Sequence, residues 1–469
     1  MPLSLFDRIL GCYLGKSIGG TLGMPYEGRQ EFLDLTFYNP VPSRPAPNDD
    51  LDLQLVWLAH VHEKGTAIDR TVLGQAWLDH IDAHWDEYGI AIWNLKRGLT
   101  PPLTGLHNNY FVNGLGAAIR SEIWAALFPG RPRTAAYYAC LDASVDHAGE
   151  GILAEMFLAA FQSDMYITHS IEKSLSAALH MLPQDSILLK VMSGVQRCFV
   201  SGMLYIETRN WIMKNFGSTN FTDCIMNLGF VIIGLLYGRG DFEKSILYAV
   251  NCGQDTDCTA ATVGAVMGIL YGKQGLPEKW LAPVGDAIVA GSYIKKLQYP
   301  VSVSALAAEI VSLHGSFINT ELPEVTVPFT LPAMADFSDK IPWHINGSVF
   351  FAEGVHICVN NAVSCTSENI ILETAFMTHR TIAAQLMVCS RSIFQCSFDG
   401  ENIGSKGDQS SDIVPAMHRM RGGRMFNISL SAGKRHTIRI EMWPAVPVPD
   451  VWVSLGDLEN RRLTDIEWG

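Results

Sequence analysis

The spacing of apolar residues changes once along the chain, and this change constrains the fold more than any other feature. Over residues 3–313 the apolar side chains recur at helical spacing, and alanine and glycine are frequent. One segment carries a small residue at every fourth position: Ala260, Gly264, Gly268 and Gly272. This spacing forms a flat stripe on one helix face, against which a neighbouring helix packs closely. We therefore predict an all-α bundle of about a dozen helices.

After residue 313 the pattern becomes that of a β domain. A proline-containing stretch, residues 315–342, interrupts the helical pattern and is typical of a linker. Seven short runs of β-branched and aromatic residues follow: Ser348–Phe351, Ile370–Phe376, Ile382–Val388, Ile393–Phe398, Met425–Leu430, His436–Met442 and Val451–Leu455. Strands of this length and spacing predict a β-sandwich or jelly roll. The predicted class is α+β multidomain, with a helical domain at 1–313, a linker at 314–342 and a β-sandwich domain at 343–469.

Composition excludes several classes of partner. The net charge is −13, from 34 basic and 47 acidic residues, and no run of Lys or Arg offers a surface for nucleic acid. The most apolar stretch, residues 228–237, is shorter than the ~18 residues of a membrane-spanning helix. The first residues lack the pattern of a secretory signal, and the ten cysteines form no C-x-x-C framework. We therefore expect a cytoplasmic protein with reduced thiols that binds neither nucleic acid nor membranes.

An acidic cluster, Asn48, Asp49, Asp50 and Asp52, lies at the start of an amphipathic helix that begins near Leu51. One interpretation is helix capping, in which an N-cap residue and acids in the first turn contribute ~1 kcal/mol. Three acids and an asparagine within five residues exceed what capping requires. Because crowded carboxylates repel one another unless a cation lies between them, the cluster favours a site for a hard cation.

A second cluster has the same design. Asp255 and Asp257 follow a glycine turn at Gly253 and precede a helix predicted over residues 259–271. Capping is again the alternative interpretation. Two such clusters suggest that two helix N-termini converge and direct their carboxylates at a shared ion. Oxygen ligands of this kind favour Mg²⁺ or Mn²⁺ over Zn²⁺.

A glycine-rich segment near the N-terminus places Gly11, Gly15, Gly19 and Gly23 at every fourth position and ends at Glu27. Close helix packing accounts for this spacing. A dinucleotide-binding fold is not indicated, because no apolar strand precedes the segment and no G-x-G-x-x-G occurs in it. Glu27 follows a Gly-x-Pro turn, so we predict that it lies on a loop.

Together these three segments resemble the ADP-ribosylglycohydrolase family. The family begins with a glycine at every fourth residue followed by Pro-x-Glu, as in residues 11–27. Its Thr-Asp-Asp-Thr element is similar to residues 48–51, and its Gly-Gly-Asp-Thr-Asp-Thr element is similar to residues 253–258. Residues 113–120 are similar to its Gly-x-Gly-x-x-Met-Arg segment, and His147 is similar to its Thr-His position. The resemblance covers the helical part of the chain, and the β-rich region lies outside it.

The resemblance implies an orthogonal α-helical bundle around a centre of one or two Mg²⁺ or Mn²⁺ ions. It also implies a glycohydrolase that cleaves the bond joining the anomeric carbon of an ADP-ribosyl or related ribosyl group to its acceptor. Transferred position by position, the metal ligands are Asn48, Asp49, Asp50, Asp255, Asp257 and Cys258. The resemblance also implies that Glu27 and Asp50 are the catalytic carboxylates, either of which would assist proton transfer from water. The residues expected to contact substrate are Asn113, Gly114, Gly116, Arg120 and His147.

Several positions depart from the family pattern. Asn48 and Cys258 stand where hydroxyl residues are usual, and sulfur is too soft to favour Mg²⁺. Leu51 offers no side-chain ligand. For Arg120 and His147 the alternatives to substrate contact are a buried ion pair and a hydrogen-bonded core histidine.

These departures and the added β domain leave two further functions open. One is a glycosidase or N-ribosyl hydrolase that acts on a small sugar derivative, and the other is a non-catalytic relative that binds ADP-ribose or sugar. The expected partner is a small-molecule substrate or an ADP-ribosylated or glycosylated substrate. A homo-oligomer is compatible with the sequence.

An aromatic-rich stretch spans residues 84–110 and includes Trp85, Tyr88, Trp93 and Tyr110. These rings suit a pocket wall that stacks on a base or a sugar. Hydrophobic core followed by a proline loop is the alternative, and the sequence leaves both interpretations open.

Overall fold

The computed structural model describes residues 3–333, 337–358, 369–443 and 450–469. The chain divides into two compact units, each of which is formed by two separate stretches of sequence. We call them the helical unit, residues 1–82 and 111–333, and the β unit, residues 83–110 and 334–469.

The helical unit contains fourteen of the sixteen α-helices found in the described residues. They are α1 (Leu5–Gly23), α2 (Asp49–Lys64), α3 (Arg70–His80), α6 (Glu122–Leu127), α7 (Pro132–Ala143), α8 (Glu150–Thr168), α9 (Ile171–Leu179), α10 (Ile187–Val200), α11 (Tyr205–Phe216), α12 (Cys224–Tyr237), α13 (Phe242–Val250), α14 (Thr256–Tyr271), α15 (Glu278–Leu281) and α16 (Val303–Phe317). The other two, α4 (Asp86–Lys96) and α5 (Leu103–Leu106), belong to the β unit. None of the described helices combines the length and the apolarity that crossing a bilayer requires.

The β unit contains eleven strands in its described residues. They are β1 (Lys340–Ile345), β2 (Ser348–Glu353), β3 (His356–Cys358), β4 (Ile370–Thr378), β5 (Ile382–Cys389), β6 (Ile393–Phe398), β7 (Glu401–Lys406), β8 (Gly423–Leu430), β9 (His436–Trp443), β10 (Asp450–Gly456) and β11 (Ile466–Trp468). One antiparallel sheet has the order β2-β1-β4-β9-β6-β7 with β11 beside β4, and the other has the order β3-β10-β5-β8. Side chains of both sheets meet in one apolar core, where Ile440 of β9 and Leu386 of β5 are fully buried. An α-helical domain followed by an antiparallel β domain is thus confirmed.

Glycine determines how closely α1 and α14 approach. A Cβ atom on Gly15 would lie 2.1 Å from the carbonyl oxygen of Gly264, and one on Gly19 would lie 2.1 Å from that of Ala260. Real side chains do not tolerate such distances, so the two backbones touch only because these positions lack a side chain. The small residues at every fourth position therefore do form the close helix contact that their spacing predicts.

The starts of α2 and α14 carry the acidic clusters. Asn48 is the N-cap of α2, and its side-chain oxygen accepts a hydrogen bond from the Asp50 amide at 2.8 Å. Helix α14 begins at Thr256, three residues before the predicted start at residue 259, so that Asp257 lies in its first turn. The prediction underestimated this helix because the Asp-Thr-Asp sequence also suits a capping turn.

All seven predicted strands are present, and four others escaped prediction. Strand β1 begins at Lys340, inside the segment predicted as a linker, and contains Pro342. Strand β1 pairs with β2 along its whole length but with β4 only at His344 and Ile345. Pro342 therefore has a neighbouring strand on one side only, as at a sheet edge, where proline is tolerated. Strands β3 and β11 have three residues each, too few for a recognisable alternation.

Residues 83–110 fold with the β strands, although their helical spacing led us to expect them in the helical domain. The Trp93 indole donates a hydrogen bond to the Leu463 carbonyl at 2.8 Å, and the Tyr110 hydroxyl donates to the Ile413 carbonyl at 2.7 Å. Helical periodicity predicts a helix but contains no information about which sheet or helix covers its apolar face. The aromatic stretch therefore contributes mainly to the interior of the β unit.

Candidate active site

The two acidic clusters converge where α2 and α14 begin. Ligand atoms of Asp50, Asp257 and Cys258 lie within 4.8 Å of one another, and so do those of Glu27, Asp255 and Asp257. Asp257 belongs to both groups and links them. The structure thus brings the distant stretches together as the sequence analysis expected.

Three carboxylate oxygens of this cluster are buried without a hydrogen-bond donor among the described residues. They are Asp50 Oδ2, Asp255 Oδ1 and Asp257 Oδ1. A buried carboxylate oxygen without a partner is costly, and cations bound between Asp257 and its neighbours, Asp50 in one group and Asp255 in the other, would remove that cost. The donor set therefore fits a hard divalent ion such as Mg²⁺ or Mn²⁺.

The electrostatics of the cluster agree with this fit. Burial, reinforced by the nearby charge of Glu27, raises the pKa values of Asp255 and Asp257 well above the ordinary range. Burial and the neighbouring carboxylates also raise the pKa of the Cys258 thiol. Because a metal ligand must lose its proton, ion binding here would be coupled to proton release. A thiol that resists deprotonation adds little to a magnesium site.

The loop carrying Glu27 is fastened to the start of α14 by backbone hydrogen bonds. The Gly28 amide donates to the Gln254 carbonyl at 2.9 Å, and the Gln254 amide donates to the Arg29 carbonyl at 2.6 Å. Thr256 adds a side-chain bond from its hydroxyl to the Gly23 carbonyl at 2.9 Å. These bonds place the exposed Glu27 carboxylate beside the buried aspartates.

Asn48 and Asp49 occupy the edge of the cluster. The Asn48 carbonyl oxygen is engaged by the Asp50 amide, and its Nδ2 lies 3.5 Å from Asp257 Oδ2. Asp49 is partly exposed and lies outside both groups of converging ligand atoms in the described residues. That Asn48 and Asp49 bind metal stays a prediction.

Lys16 is the residue that sequence reasoning missed. Its ammonium group is 2% exposed and lies 3.1 Å from Asp50 Oδ1 and 3.2 Å from Glu122 Oε2. Although burial alone would lower it, the two carboxylates raise the pKa of Lys16. A lysine within the glycine-rich face of α1 was the available signal, because such a charge is buried only when it is paired.

Glu122 extends this buried network beneath Asp50. Gln54 Nε2 donates to Glu122 Oε2 at 2.9 Å, and Gln162 Nε2 donates to its other oxygen at 3.2 Å. Tyr13 in turn donates its hydroxyl to Gln54 at 3.0 Å. Lys16, which also contacts Glu122, thus holds Asp50 Oδ1. Asp50 Oδ2 has no donor among the described residues and is available to an ion.

Two residues predicted to contact substrate, Arg120 and His147, are fully buried. Arg120 is fully buried and donates to Asp142 Oδ1 at 2.9 Å, to Asp146 Oδ1 at 2.6 Å and to the Gly116 carbonyl at 2.9 Å. His147 is fully buried next to Asp146. These contacts within the protein match the ion-pair and core-histidine alternatives, and substrate contact by either residue stays a prediction.

Asn113 and Gly114 lie on a turn beside the start of α12. The Asn113 carbonyl accepts a hydrogen bond from the Cys224 amide at 2.8 Å, and Gly114 pairs with Asp223 in an isolated bridge. These backbone contacts join the turn to the start of α12. That Asn113, Gly114 and Gly116 contact substrate stays a prediction.

Comparisons with known proteins identify the helical part of the chain. The model of the family described as ADP-ribosylglycohydrolase matches residues 1–313. ADP-ribosylarginine hydrolase Tri1 of Pseudomonas putida (strain GB-1) is 22% identical over 311 residues, which are 63% of this chain and 78% of that protein. An uncharacterized protein of Archaeoglobus fulgidus is 23% identical over 297 residues, 60% of this chain and 92% of its own.

A solved structure described as an ADP-ribosylglycohydrolase-related protein complex aligns with 66% of this chain and 98% of its own, with 18% identity and a TM-score of 0.47. The family match alone spans about two thirds of the sequence, and it includes all the residues of both acidic clusters. The chain belongs to the ADP-ribosylglycohydrolase family.

Proposed function

We propose that the protein is a Mg²⁺- or Mn²⁺-dependent hydrolase that cleaves the anomeric bond of an ADP-ribosyl or related ribosyl group. The observation that carries the proposal is that two groups of converging ligand atoms share Asp257, and that Asp50, Asp255 and Asp257 each bury a carboxylate oxygen for which the described residues supply no donor. A family member with a purely structural bundle would have no reason to bury three such oxygens together.

The buried aspartates and the exposed Glu27 have different roles in this proposal. Asp257 would hold one or two ions together with Asp50 and Asp255, and a bound ion would supply a positive centre for ribose hydroxyls and lower the pKa of a water molecule. Glu27, the exposed carboxylate, accepts the proton of the attacking water. Lys16 holds Asp50 Oδ1 at 3.1 Å, so that Asp50 Oδ2, which has no donor among the described residues, would be the oxygen available to an ion.

The relatives suggest which acceptor to test first. One of them is named an ADP-ribosylarginine hydrolase, so the release of ADP-ribose from ADP-ribosylarginine is the first assay. We expect turnover in Mg²⁺ or Mn²⁺, its loss in EDTA and its recovery when the ion is restored.

Two variants distinguish loss of metal binding from a general loss of folded protein. Asp255→Asn with Asp257→Asn should lower kcat/KM at least 100-fold, since even supporting residues of metal sites cost roughly 10–100-fold. Asp241→Asn is the matched control, because Asp241 caps α13 at the surface through the Lys244 amide. Undiminished turnover in EDTA, or in the double variant, would contradict the proposal.

A second candidate is hydrolysis of a small riboside or sugar derivative. Asn48 and Cys258 occupy two ligand positions where the family has hydroxyl residues, and this departure favours a different substrate. The Asn48 side-chain oxygen already accepts a hydrogen bond from the Asp50 amide. Running ADP-ribosylarginine, other ADP-ribose derivatives and simple ribosides side by side decides between the two. Product from the ribosides alone would establish the second candidate.

A further inference from the structure

A small cavity within the β unit lies outside everything assigned so far. Its volume is about 30 Å³, and the residues that matter for its chemistry are Trp93, Arg97, Asp339, Ser454, Arg462 and Trp468. Since one water molecule needs roughly 10–15 Å³ by this measure, the cavity has room for about two. We call it the Trp93 cavity.

Three hydrogen-bond donors in the wall of this cavity are buried and find no partner among the residues that the structure describes. They are Arg97 Nη1, Arg462 Nη1 and Ser454 Oγ. Leaving even one buried donor unsatisfied costs about 1–3 kcal/mol, more when the group is charged. Three in one wall indicate a site for an acceptor that the described residues do not supply.

The charges of the wall favour an anion as that acceptor. Arg462 forms no ion pair with any carboxylate of the described residues, and burial lowers its pKa to about 10. Asp339 is already engaged by Arg97 Nη2 at 2.6 Å and by His107 Nε2 at 2.9 Å. The wall therefore carries two guanidinium groups and one carboxylate, which leaves a net positive charge.

Trp93 holds both guanidinium groups in place. Its indole nitrogen donates to the Leu463 carbonyl at 2.8 Å, which fixes the orientation of the ring. The central guanidinium carbon lies 4.4 Å from the ring centroid in Arg97 and 5.5 Å in Arg462. Attraction to an aromatic face stabilises a cation, so Trp93 helps to hold both guanidinium groups in the wall without any bound ligand.

We propose that the Trp93 cavity binds the carboxylate group of a small molecule, with Arg97, Arg462 and Ser454 as its donors. The two carboxylate oxygens match the room for about two waters, and a guanidinium group is the donor whose planar geometry suits them. Phosphate is the competing anion, which a guanidinium group also binds, and the test below distinguishes it. The proposal is independent of the function proposed for the helical unit.

The test is acetate binding to the full chain by isothermal titration calorimetry in a buffer free of chloride and phosphate. We expect saturable binding that Arg462→Met weakens at least 10-fold. Arg461→Met is the matched control, since Arg461 is the adjacent arginine and pairs at the surface with Glu459, and its affinity should equal that of the unchanged protein. Parallel titrations with chloride and phosphate identify the class of anion.

Ser454→Ala serves as a second variant, because it removes one donor without changing charge and remains informative even if Arg462→Met does not fold. We expect it to weaken acetate binding several-fold. The proposal is overturned if acetate shows no saturable binding, if Arg462→Met and Ser454→Ala bind it as well as the control, or if chloride or phosphate binds more tightly than acetate.

Discussion

At the scale of single residues, the candidate site depends on a pairing that sequence patterns do not reveal. Lys16 shares its ammonium group between Asp50 and Glu122, and all three side chains are almost fully buried. Breaking a buried pair leaves an uncompensated charge, whereas the pair itself adds little net stability. The lysine therefore permits two carboxylates to lie at the base of an acidic site.

Lys16→Met should destabilise the protein by about 3 kcal/mol or more, because Asp50 and Glu122 would then be buried without their cation. The measurement is urea unfolding in EDTA, so that no divalent ion replaces the lost charge. Lys64→Met is the control, since Lys64 pairs with Glu63 at the surface and should change stability by less than ~1 kcal/mol. Equal effects of the two substitutions would argue against this role of Lys16.

At the scale of secondary-structure elements, the contact between α1 and α14 positions the site. Backbone meets backbone at Gly15 and Gly264, and the same two helices carry Lys16 and Asp257. The distance between these helices thus sets the distance between the buried lysine and the aspartates. Small residues every four positions predicted this contact, because the periodicity of a helix is local information.

Gly264→Ala should destabilise the protein by roughly 1–3 kcal/mol, since the added Cβ would meet the Gly15 carbonyl and force the helices apart. Gly315→Ala is a matched control in α16, where an added Cβ meets nothing within 4 Å. The free energy of unfolding of that control should rise by about 0.5–1 kcal/mol, because alanine has the higher helix propensity. Thermal unfolding of both variants measures the contrast, and a stabilising Gly264→Ala would show that the helices are not limited by backbone contact.

At the scale of the whole molecule, the β unit is assembled from two separate stretches of chain. Residues 83–110 supply Trp93 to an apolar cluster with Ile413 and Trp452. They also supply Asp86, which accepts hydrogen bonds from Arg419 Nε at 2.9 and 3.0 Å. The β strands therefore complete their core with a segment that precedes them by more than two hundred residues.

A fragment of residues 332–469 should consequently fail to fold into a stable structure, because it lacks Trp93 and the other partners of its core. Near-ultraviolet circular dichroism and cooperative thermal unfolding are the measurements. Adding a peptide of residues 83–110 should restore both signals, and a peptide of the same composition in scrambled order is the control. A cooperative transition of the fragment alone would contradict this account of the unit.

The sequence by itself determined the change from helices to strands, the helix contact through small residues and the identity of the acidic clusters, because each of these follows from spacing along the chain. Only the tertiary structure decided that residues 83–110 join the β strands, that Lys16 lies under Asp50, and that Arg97, Arg462 and Ser454 share a cavity. Those arrangements depend on which faces pack together. Burial, unlike periodicity, is a property of the folded chain and not of any segment within it.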